Sequence, residues 1–484
     1  MAMARTTFNT SGKYKPIHPG YARLKEFVNV TAATVDIFNK YTEPQLEHHT
    51  EYIRDFVGSI CSGFGEYNKL FKTKEPIPRG SYFEKTKIIS PTEYDFLNPL
   101  SLSDDASVQV CDVRDDCWKT GEGYKVVNIH PGQVQQLLLD LNSTSIYNFL
   151  IKHSPFEEIP HSSHDPLGAD DVYWLTENIK YSLRDAMHTY LKNTHGSQYI
   201  GKRDHKNEQH PSYTLGEISM HEHLHGPSVW LRVGGPLGTT DIDLCFCIKG
   251  TEGSVLVPID PYGCGKCPEH IHWTESIVEP QHPGAPDHQL HNPTEHQRQL
   301  FLVLKYISHL YSRIYWHINN VHPISGLISS YSYKLLIMHH QKHCTGSDFY
   351  IGRCFEDVVE YIFNQFRRDN DDSDLYRLYD EYISLPDTYY PDRKVSVVHG
   401  YGNSGELTVL LWVLKHVKHS NDTQWWQKLL DDDFPNNVSS GDVLLHSLLD
   451  SVKHVGDALQ QIKSPEPLDW QHEDGTRTHL TITR

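Results

Sequence analysis

Helical spacing of apolar residues marks several stretches in the first part of the chain. Between Val35 and Phe71 these residues recur three or four positions apart, so the pattern predicts one or two helices. The same periodicity from Val126 to Phe149, and again from Tyr173 to Leu191, predicts further helical segments. Residues 1 to 25 lack such a pattern and are expected to form a flexible lead.

Strand patterns lie between these helices, and a helical region follows them. Alternating and β-rich residues predict a strand or hairpin from Thr86 to Leu97. Two more strands, Val229–Val233 and Ile242–Ile248, are predicted on either side of the Gly/Pro-rich turn 234–238. From Gln297 onward the apolar spacing is helical, so the pattern predicts an α/β half followed by an all-helical half.

Composition indicates a globular protein with two lobes or a few domains. The chain has 484 residues, of which 38% are hydrophobic and 22% charged, enough to form a sizeable core. Its nine cysteines are sparse and irregularly spaced, which favours reduced thiols and a cytoplasmic protein. No apolar run approaches the roughly 20 residues of a membrane-spanning helix, so no membrane association is expected.

The charge balance bears on which partners the protein can bind. A formal net charge of −18 works against a broad nucleic-acid-binding surface, although it is compatible with a local basic patch. The densest basic cluster is Gly201–Lys206, and Lys69, Lys72 and Lys74 form a second one. Such clusters are more often solvated faces than binding sites, so both interpretations stay open.

Acidic residues with strand spacing form the strongest chemical pattern in the chain. Glu93 and Asp95 are two positions apart in a β-rich segment, so a strand would place both carboxylates on one face. Asp241, in the second predicted strand pair, would supply a third carboxylate, with Asp243 as the alternative. Polymerase-type nucleotidyl transfer needs such a set for its magnesium ions, but acid-x-acid pairs such as Asp372–Asp374 are also ordinary surface features.

A turn upstream of the acid pair strengthens the catalytic interpretation. Gly80 has no side chain, so the backbone there can approach phosphates closely. Successive amides of the turn and the hydroxyl of Ser81 would then hold a triphosphate.

This whole segment resembles a known active site. Residues 80–96, GSYFEKTKIISPTEYDF, closely resemble the active-site hairpin of cyclic GMP–AMP synthase and the animal cGAS-like receptors. The resemblance implies that Gly80 and Ser81 bind donor phosphates and that Glu93 and Asp95 bind magnesium. Residues 226–229 and 240–244 resemble the strand pair that carries the family's third metal ligand, which by register is Asp241.

The resemblance continues as islands as far as Tyr382 and implies phosphate and base contacts in the helical half. Lys305 lies in a segment whose lysine touches nucleotide phosphate in the family, and Ser329-Ser330-Tyr331 resembles an element in which serine contacts phosphate and tyrosine stacks on a base. A solvated helix face for Lys305 and a core position for Tyr331 are the ordinary alternatives.

The resemblance also implies a fold and a division of the chain. The expected fold is the α/β (α+β) nucleotidyltransferase fold, in which a mixed twisted sheet forms a catalytic lobe packed against a helical lobe. The expected boundaries are a flexible segment at 1–25, the catalytic lobe at 26–275, the helical lobe at 276–395 and an additional helical segment at 396–484.

Two regions of the chain bear on zinc binding. The vertebrate enzyme has a zinc insertion with one histidine and three cysteines, but the matching region 279–297 contains no cysteine. Just upstream, Cys264, Cys267, His270 and His272 offer four possible zinc ligands. Their close spacing strains a single tetrahedral site, and a loop with reduced cysteines and surface histidines is the alternative.

Two other groups of histidines and one difference from the family pattern also bear on ligand binding. His221, His223 and His225 alternate as on a strand face, and His339 and His343 have helical spacing. Either group would suit a metal, although exposed histidines are common in a chain with 33 of them. Thr274 stands where the family usually has an arginine that contacts nucleotide.

The resulting functional expectation is a cyclic dinucleotide synthase of innate immunity. With Mg²⁺ or Mn²⁺ it would join two nucleoside triphosphates, such as ATP and GTP, when it senses a ligand. Double-stranded RNA or DNA is the expected activator, and ligand-induced homo-oligomerisation is compatible with this role. The alternatives are a catalytically silent relative with a scaffolding or developmental role, and a linear polymerase resembling oligoadenylate synthase.

Overall fold

The computed structural model describes most of the chain. It covers residues 19–133, 183–257, 273–277, 293–344, 351–368, 382–399, 403–454, 468–471 and 477–480, with internal breaks of a few residues. The chain forms two compact units. The sheet unit comprises Tyr41–His288 and Tyr389–Arg393, and the helical unit comprises Met1–Lys40, Gln289–Thr388 and Lys394–Arg484.

The secondary-structure elements are as follows. The helices are α1 Pro19–Val35, α2 Ile37–Lys40, α3 Glu43–Tyr67, α4 Gly80–Phe83, α5 Glu295–Asn319, α6 Ser330–Gln341, α7 Ile351–Arg368, α8 Ser404–His419 and α9 Val443–Lys453. The strands are β1 Ile77–Arg79, β2 Glu93–Pro99, β3 Val108–Asp112, β4 Tyr124–Ile129, β5 Tyr199–Arg203, β6 Ile218–His221, β7 Val229–Gly235, β8 Gly238–Lys249, β9 Ser254–Val257, β10 Trp273–Ile277, β11 Tyr382–Pro386, β12 Lys394–His399, β13 Leu468–Gln471 and β14 Arg477–Leu480. Residues 183–194 are also helical.

A mixed sheet forms the sheet unit. Its main path runs β3-β4-β10-β9-β8-β7-β6-β5, and β2 joins it through β8 while also pairing with β1. The β2–β8 and β5–β6 pairs are parallel, and the other pairs of this sheet are antiparallel. A mixed sheet with helices confirms the predicted α/β class.

The long strand β8 separates an apolar face from a polar one. Ile242, Leu244 and Phe246 are buried on one face, where Phe246 meets Phe64 of α3 with ring centroids 5.8 Å apart. This apolar face holds the strand against α3, a helix with a capping box at Thr42. Since side chains alternate along a strand, the acids Asp241 and Asp243 are directed to the opposite face.

Helix α5 occupies the core of the helical unit. It begins with a capping box between Thr294 and Gln297, ends at Asn320 in the left-handed conformation, and packs against α1, α6, α7, α8 and α9. A buried polar network also ties α5 to its neighbours. The Glu406 carboxylate of α8 accepts hydrogen bonds from Ser308 of α5 and from the Tyr333 hydroxyl of α6, and from the Ile328 amide at 2.7 Å.

Several sequence-based predictions need correction. The range 126–149 is predicted to be helical, but residues up to Ile129 belong to strand β4, where alternation within the sheet outweighs the helical spacing. In the predicted strand 86–97, strand structure begins only at Glu93. The predicted flexible lead is helical from Pro19 onward.

The C-terminal half is also less uniform than predicted. The hairpins β11–β12 and β13–β14 interrupt a region expected to be entirely helical. Within the described residues, no helix is both long enough and apolar enough to cross a bilayer.

Candidate active site

The predicted acids meet on two neighbouring parallel strands. Glu93 of β2 lies opposite Asp241 of β8, and Asp95 lies opposite Asp243. Residues in register on parallel strands direct their side chains to the same side of the sheet. The structure therefore places four carboxylates on one face, including the residue that the sequence offered only as an alternative third ligand.

The Gly80–Ser81 turn lies directly against this carboxylate face. Strand β1 ends at Arg79, whose backbone pairs with Asp95, and the short helix α4 begins at Gly80. Gly80 has a φ of +81°, and a β-carbon there would overlap the Asp95 carboxylate. Glycine is thus required both by the backbone conformation and by the close contact with an acid.

Arg232 holds Asp241 in a bidentate ion pair. The arginine lies opposite Asp241 on β7, and its Nε and Nη2 donate to the two carboxylate oxygens at 2.7 and 3.1 Å. The guanidinium also donates to Glu208 at 2.8 Å, and it is nearly buried. This geometry orients the Asp241 carboxylate and balances its charge.

Asp243 is buried and bonded to a histidine through only one of its oxygens. His225 Nδ1 lies 2.7 Å from Asp243 Oδ2, and this hydrogen bond raises the pKa of His225 to about 8. Burial raises the pKa of Asp243, and the neighbouring carboxylates of Glu93 and Asp241 raise it further. Among the described residues, no hydrogen-bond partner reaches the buried Oδ1 of Asp243.

Glu93 has its own basic partner. Lys87, whose side chain is 8% exposed, forms an ion pair with the Glu93 carboxylate. Glu93, Asp241 and Asp243 are therefore each paired with a cationic side chain, respectively Lys87, Arg232 and His225. These pairings offset the repulsion that clustered carboxylates would otherwise exert on one another.

The carboxylate face fits a divalent cation by its donor chemistry. Mg²⁺ and Mn²⁺ prefer oxygen ligands, and carboxylates from adjacent strands are typical of their sites. The buried Oδ1 of Asp243, which no residue in the described part of the chain hydrogen-bonds, is also an acceptor that a cation would satisfy. Glu93, Asp95 and Asp241 are the ligands predicted from the sequence, and Asp243 lies on the same face.

The predicted phosphate and base contacts lie in the helical unit. Ser329 is the N-cap of α6 and its hydroxyl accepts from the Ser332 amide at 3.0 Å, while Ser330 is the first helical residue. The Tyr331 hydroxyl donates to Asp387 at 2.8 Å. On α5, Lys305 Nζ lies 6.0 Å from the centroid of the Phe301 ring. Serines at a helix N-terminus offer hydroxyl and amide donors suited to phosphate.

Sequence reasoning missed most of the basic partners of the acids. Lys87 lies inside the segment that carried the family resemblance, and Arg232 and His225 lie near β8 in sequence. Their proximity in sequence did not indicate which acid each one contacts. The pairing of Arg232 with Asp241, for example, depends on the register of β7 and β8. His221, His223 and His225 do not share one strand as expected, because β6 ends at His221. His221 instead stacks on Trp230, with ring centroids 4.4 Å apart.

Two further features from the sequence are Thr274 and the possible zinc ligands. Thr274, in the position of the family's arginine, lies within β10 and pairs with Val257 and Tyr124. The zinc quartet Cys264, Cys267, His270 and His272 lies outside the described residues.

Comparison with known proteins finds only remote structural similarity. No protein-family model and no curated protein sequence matches the chain. Two solved structures of CdnC from E. coli MS115-1 resemble it, one with ATP and one in complex with HORMA-deltaN. Their TM-scores are 0.43 and 0.42 and their sequence identities 11% and 12%, and each alignment covers 86% of this chain and 98% of the other. At this level of similarity, function must be inferred from the geometry of the site.

Proposed function

We propose that the protein is a metal-dependent nucleotidyltransferase. The observation that carries the proposal is the in-register pairing of Glu93 with Asp241 and of Asp95 with Asp243 on parallel strands. The Gly80 turn, in contact with Asp95, adds a phosphate-binding backbone next to these acids. This combination provides metal ligands and triphosphate donors side by side, as nucleotidyl transfer requires.

Each part of the site has a proposed role. Glu93, Asp95 and Asp241 would hold Mg²⁺ or Mn²⁺, which when bound would polarise the attacking hydroxyl and neutralise the leaving pyrophosphate. The amides after Gly80 and the Ser81 hydroxyl bind the donor triphosphate. Lys305, Ser329 and Ser330 bind phosphate, and Tyr331 stacks on a base; these four roles rest on the sequence resemblance.

The substrate and biological role extend the proposal further. Two nucleoside triphosphates, such as ATP and GTP, are joined in two steps, in each of which a ribose hydroxyl attacks an α-phosphate and pyrophosphate leaves. The cyclic dinucleotide product serves as a second messenger in innate immunity, made when the protein senses double-stranded RNA or DNA. The resemblance of residues 80–96 to the cGAS-like receptors supports this finer proposal.

Four of the six lysines and arginines in the two basic clusters form ion pairs with acids of their own unit. Lys202 forms an ion pair with Asp185 at 3.1 Å and Arg203 with Glu208 at 3.1 Å. In the second cluster Lys72 is 3.5 Å from Glu66, and Lys74 is paired with Asp104. A nucleic-acid activator must therefore compete with acids for these cations, so the activator's identity needs a direct test.

A labelled-nucleotide assay tests the proposed function. The purified chain is incubated with labelled ATP, GTP, CTP and UTP, with Mg²⁺ or Mn²⁺, and with double-stranded RNA, double-stranded DNA or neither. We expect a phosphatase-resistant cyclic product, reduced by at least about 100-fold in Asp95→Asn and Glu93→Gln because a metal ligand is lost. Asp112→Asn, which changes a strand-end acid paired with Lys125 in the same unit, is the matched control.

The outcomes of this assay discriminate between the candidate functions. Linear oligomers in place of a cyclic product would indicate an enzyme resembling oligoadenylate synthase. An absence of product under every condition, with Asp95→Asn indistinguishable from wild type, would indicate a catalytically silent relative.

The same assay separates the two acids on β8. Asp241→Asn is expected to lose activity as fully as Asp95→Asn. Asp243→Asn keeps a side chain that can bond to His225, and it is expected to retain more activity because Asp241 remains in place. The reverse order of activities would assign the third metal ligand to Asp243.

A further inference from the structure

Three side chains of types that can ligate a metal lie close together in the helical unit, far in sequence from the acids on β2 and β8. Ligand atoms of His296, Cys344 and Cys354 all lie within 4.8 Å of one another. The two sulfur atoms are 3.2 Å apart. His296 and Cys354 are 3% and 1% exposed, and Cys344 is partly exposed. Three soft or borderline ligands thus converge on one largely buried point.

The three residues come from the ends of three helices. His296 is the second residue of α5, in the first turn fixed by the Thr294 capping box. Cys344 follows α6, and its amide donates to the Gln341 carbonyl at 3.1 Å. Cys354 is the fourth residue of α7. The neighbouring Gln297 side chain donates to the side chain of Gln341, which ties the start of α5 to the end of α6.

This arrangement has the character of a metal site more than that of a disulfide. The two cysteines form no disulfide with each other, since their sulfur separation of 3.2 Å exceeds the roughly 2.05 Å of a disulfide bond. An imidazole beside two thiols provides a Cys₂His set, and thiolate with imidazole is the ligand combination that zinc prefers. Because the three ligands belong to separate helices, a zinc ion bound to all of them would tie these segments together.

We propose that His296, Cys344 and Cys354 bind a zinc ion that joins the ends of α5, α6 and α7. Zinc displaces the two thiol protons and takes the imidazole nitrogen as its third protein ligand, with water in the fourth tetrahedral position. This ligand set shares no residue with the Cys264–His272 group, and it requires neither nucleotide nor the acids of the sheet unit. The inference therefore stands whether or not the proposed catalytic function does.

Metal analysis of the full-length chain tests the site. The protein is stripped with a chelator and reloaded with Zn²⁺ or Co²⁺, and bound metal is measured after desalting. The double variant Cys344→Ser/Cys354→Ser is expected to lose one equivalent of zinc per chain, together with the sulfur-to-cobalt charge-transfer absorption that thiolate ligands produce. The double variant Cys264→Ser/Cys267→Ser is expected to keep both signals of this site.

Matched single variants separate ligation from general damage. His296→Ala is expected to weaken zinc binding by at least about 10-fold through loss of a ligand, whereas His317→Ala, at the exposed far end of α5, is expected to leave it unchanged. Cys111→Ser, a partly exposed cysteine of the sheet unit, is the corresponding thiol control.

One measurement needs no variant and so does not depend on folding of the mutants. Zinc is expected to protect Cys344, the partly exposed cysteine of the pair, from alkylation in the wild-type protein, as located by peptide mass spectrometry. Equal alkylation with and without zinc, or a disulfide-linked peptide containing both cysteines in the purified protein, would overturn the proposal.

Discussion

At the residue scale, the carboxylate face is an arrangement of acids held by specific bases. Arg232 binds Asp241 through two donors, Lys87 pairs with Glu93, and His225 bonds to Asp243. Like charges a few ångströms apart repel by several kcal/mol where solvent screening is weak. The basic partners remove much of this cost in the absence of metal, and a divalent cation would compete with them for the same oxygens.

The His225–Asp243 pair gives the stability of the protein a defined pH dependence. The pKa of His225 is raised from 6.5 to about 8 by its hydrogen bond to Asp243. A raised pKa in the folded state means that this stabilisation is complete below pH 6.5 and is lost as the pH rises through about 8. Because the imidazole is half exposed, we expect an effect below about 1 kcal/mol.

Melting temperatures between pH 6 and pH 9, measured without divalent cations, check this expectation. His225→Gln is expected to remove part of the stability loss across this range, whereas His223→Gln, an exposed neighbour, is expected to leave the wild-type profile intact. Identical pH profiles for wild type and His225→Gln would contradict the pairing.

At the element scale, the β1–α4 turn is shaped by one glycine. Gly80→Ala imposes an unfavourable positive φ and forces the Asp95 carboxylate away from the turn. We expect about 1 kcal/mol of backbone strain, a further loss of similar size from the displaced contact, and at least about 10-fold less transferase activity. Urea unfolding and the labelled-nucleotide assay measure the two effects.

The chain offers a matched control for this substitution. Gly196 also has a positive φ, +52°, but a β-carbon there would meet no other atom within 4 Å. Gly196→Ala is therefore expected to show the backbone strain alone, with activity unchanged. Equal activity losses in the two variants would argue against a special role for the Gly80 contact.

The buried Glu406 network provides a second prediction at the element scale. Burial raises the pKa of this glutamate from 4.5 to about 7, despite hydrogen bonds from Ile328, Ser308 and Tyr333. The raised pKa means that its protonated form stabilises the fold fully below pH 4.5, and that this contribution disappears as the pH rises through 7. The contribution of this carboxyl group to the free energy of unfolding therefore falls by about 3 kcal/mol between these two pH limits.

Glu406→Gln mimics the protonated carboxyl group and should remove this dependence. Free energies of unfolding at pH 5 and pH 8 are expected to fall less in the variant than in wild type. If wild type and variant lose equal stability between these pH values, the carboxyl group is not protonated in the folded state.

Element boundaries show where local patterns lose their predictive value. The apolar spacing of α3 and α5 belongs to long helices with one buried face, and it predicted them well. The helical prediction was wrong for Val126–Ile129, because strand pairing in the sheet unit sets the conformation of β4, whereas residues 134–149 of the same prediction lie outside the described part of the chain. Hairpins β11–β12 and β13–β14 were missed for the same reason, since their strands are short and are stabilised by pairing.

At the scale of the whole molecule, the net charge of −18 limits contact with nucleic acids. In the two basic clusters Lys202, Arg203, Lys72 and Lys74 are each paired with an acid, and these acids weaken the attraction of the four cations for phosphates. We expect about three phosphate contacts, and hence about a 40-fold loss of affinity between roughly 50 and 200 mM salt. Fluorescence anisotropy with labelled double-stranded RNA and DNA of equal length measures this slope.

One value of the salt dependence would contradict this expectation. A dependence twice as steep would mean that a broad basic surface exists which these two clusters do not account for. The double variant Lys202→Ala/Arg203→Ala identifies the contribution of the first cluster, and Lys125→Ala, a lysine of the same unit that lies outside both clusters and 2.6 Å from Asp112, serves as the control.

The sequence by itself determined the α/β class of the fold and the placement of Glu93 and Asp95 on one strand face. Two acids at strand spacing need only a local extended conformation to share a face, so the spacing of Glu93 and Asp95 predicted that strand β2 would place both on one side. The turn at Gly80–Ser81 was also predictable from local sequence, because the freedom of glycine to adopt a positive φ is a property of that single residue.

Only the tertiary structure decided what surrounds these residues. Pairing of β2 with β8 brought Asp243 level with Asp95, and the register of β7 placed Arg232 against Asp241. Likewise, the convergence of three helix ends brought His296 to Cys344 and Cys354. Register and helix packing arise from burial of whole apolar faces, an energy summed over many residues. A short sequence motif carries no information about this summed energy. For this reason the acids could be predicted from the sequence, whereas their basic partners could not.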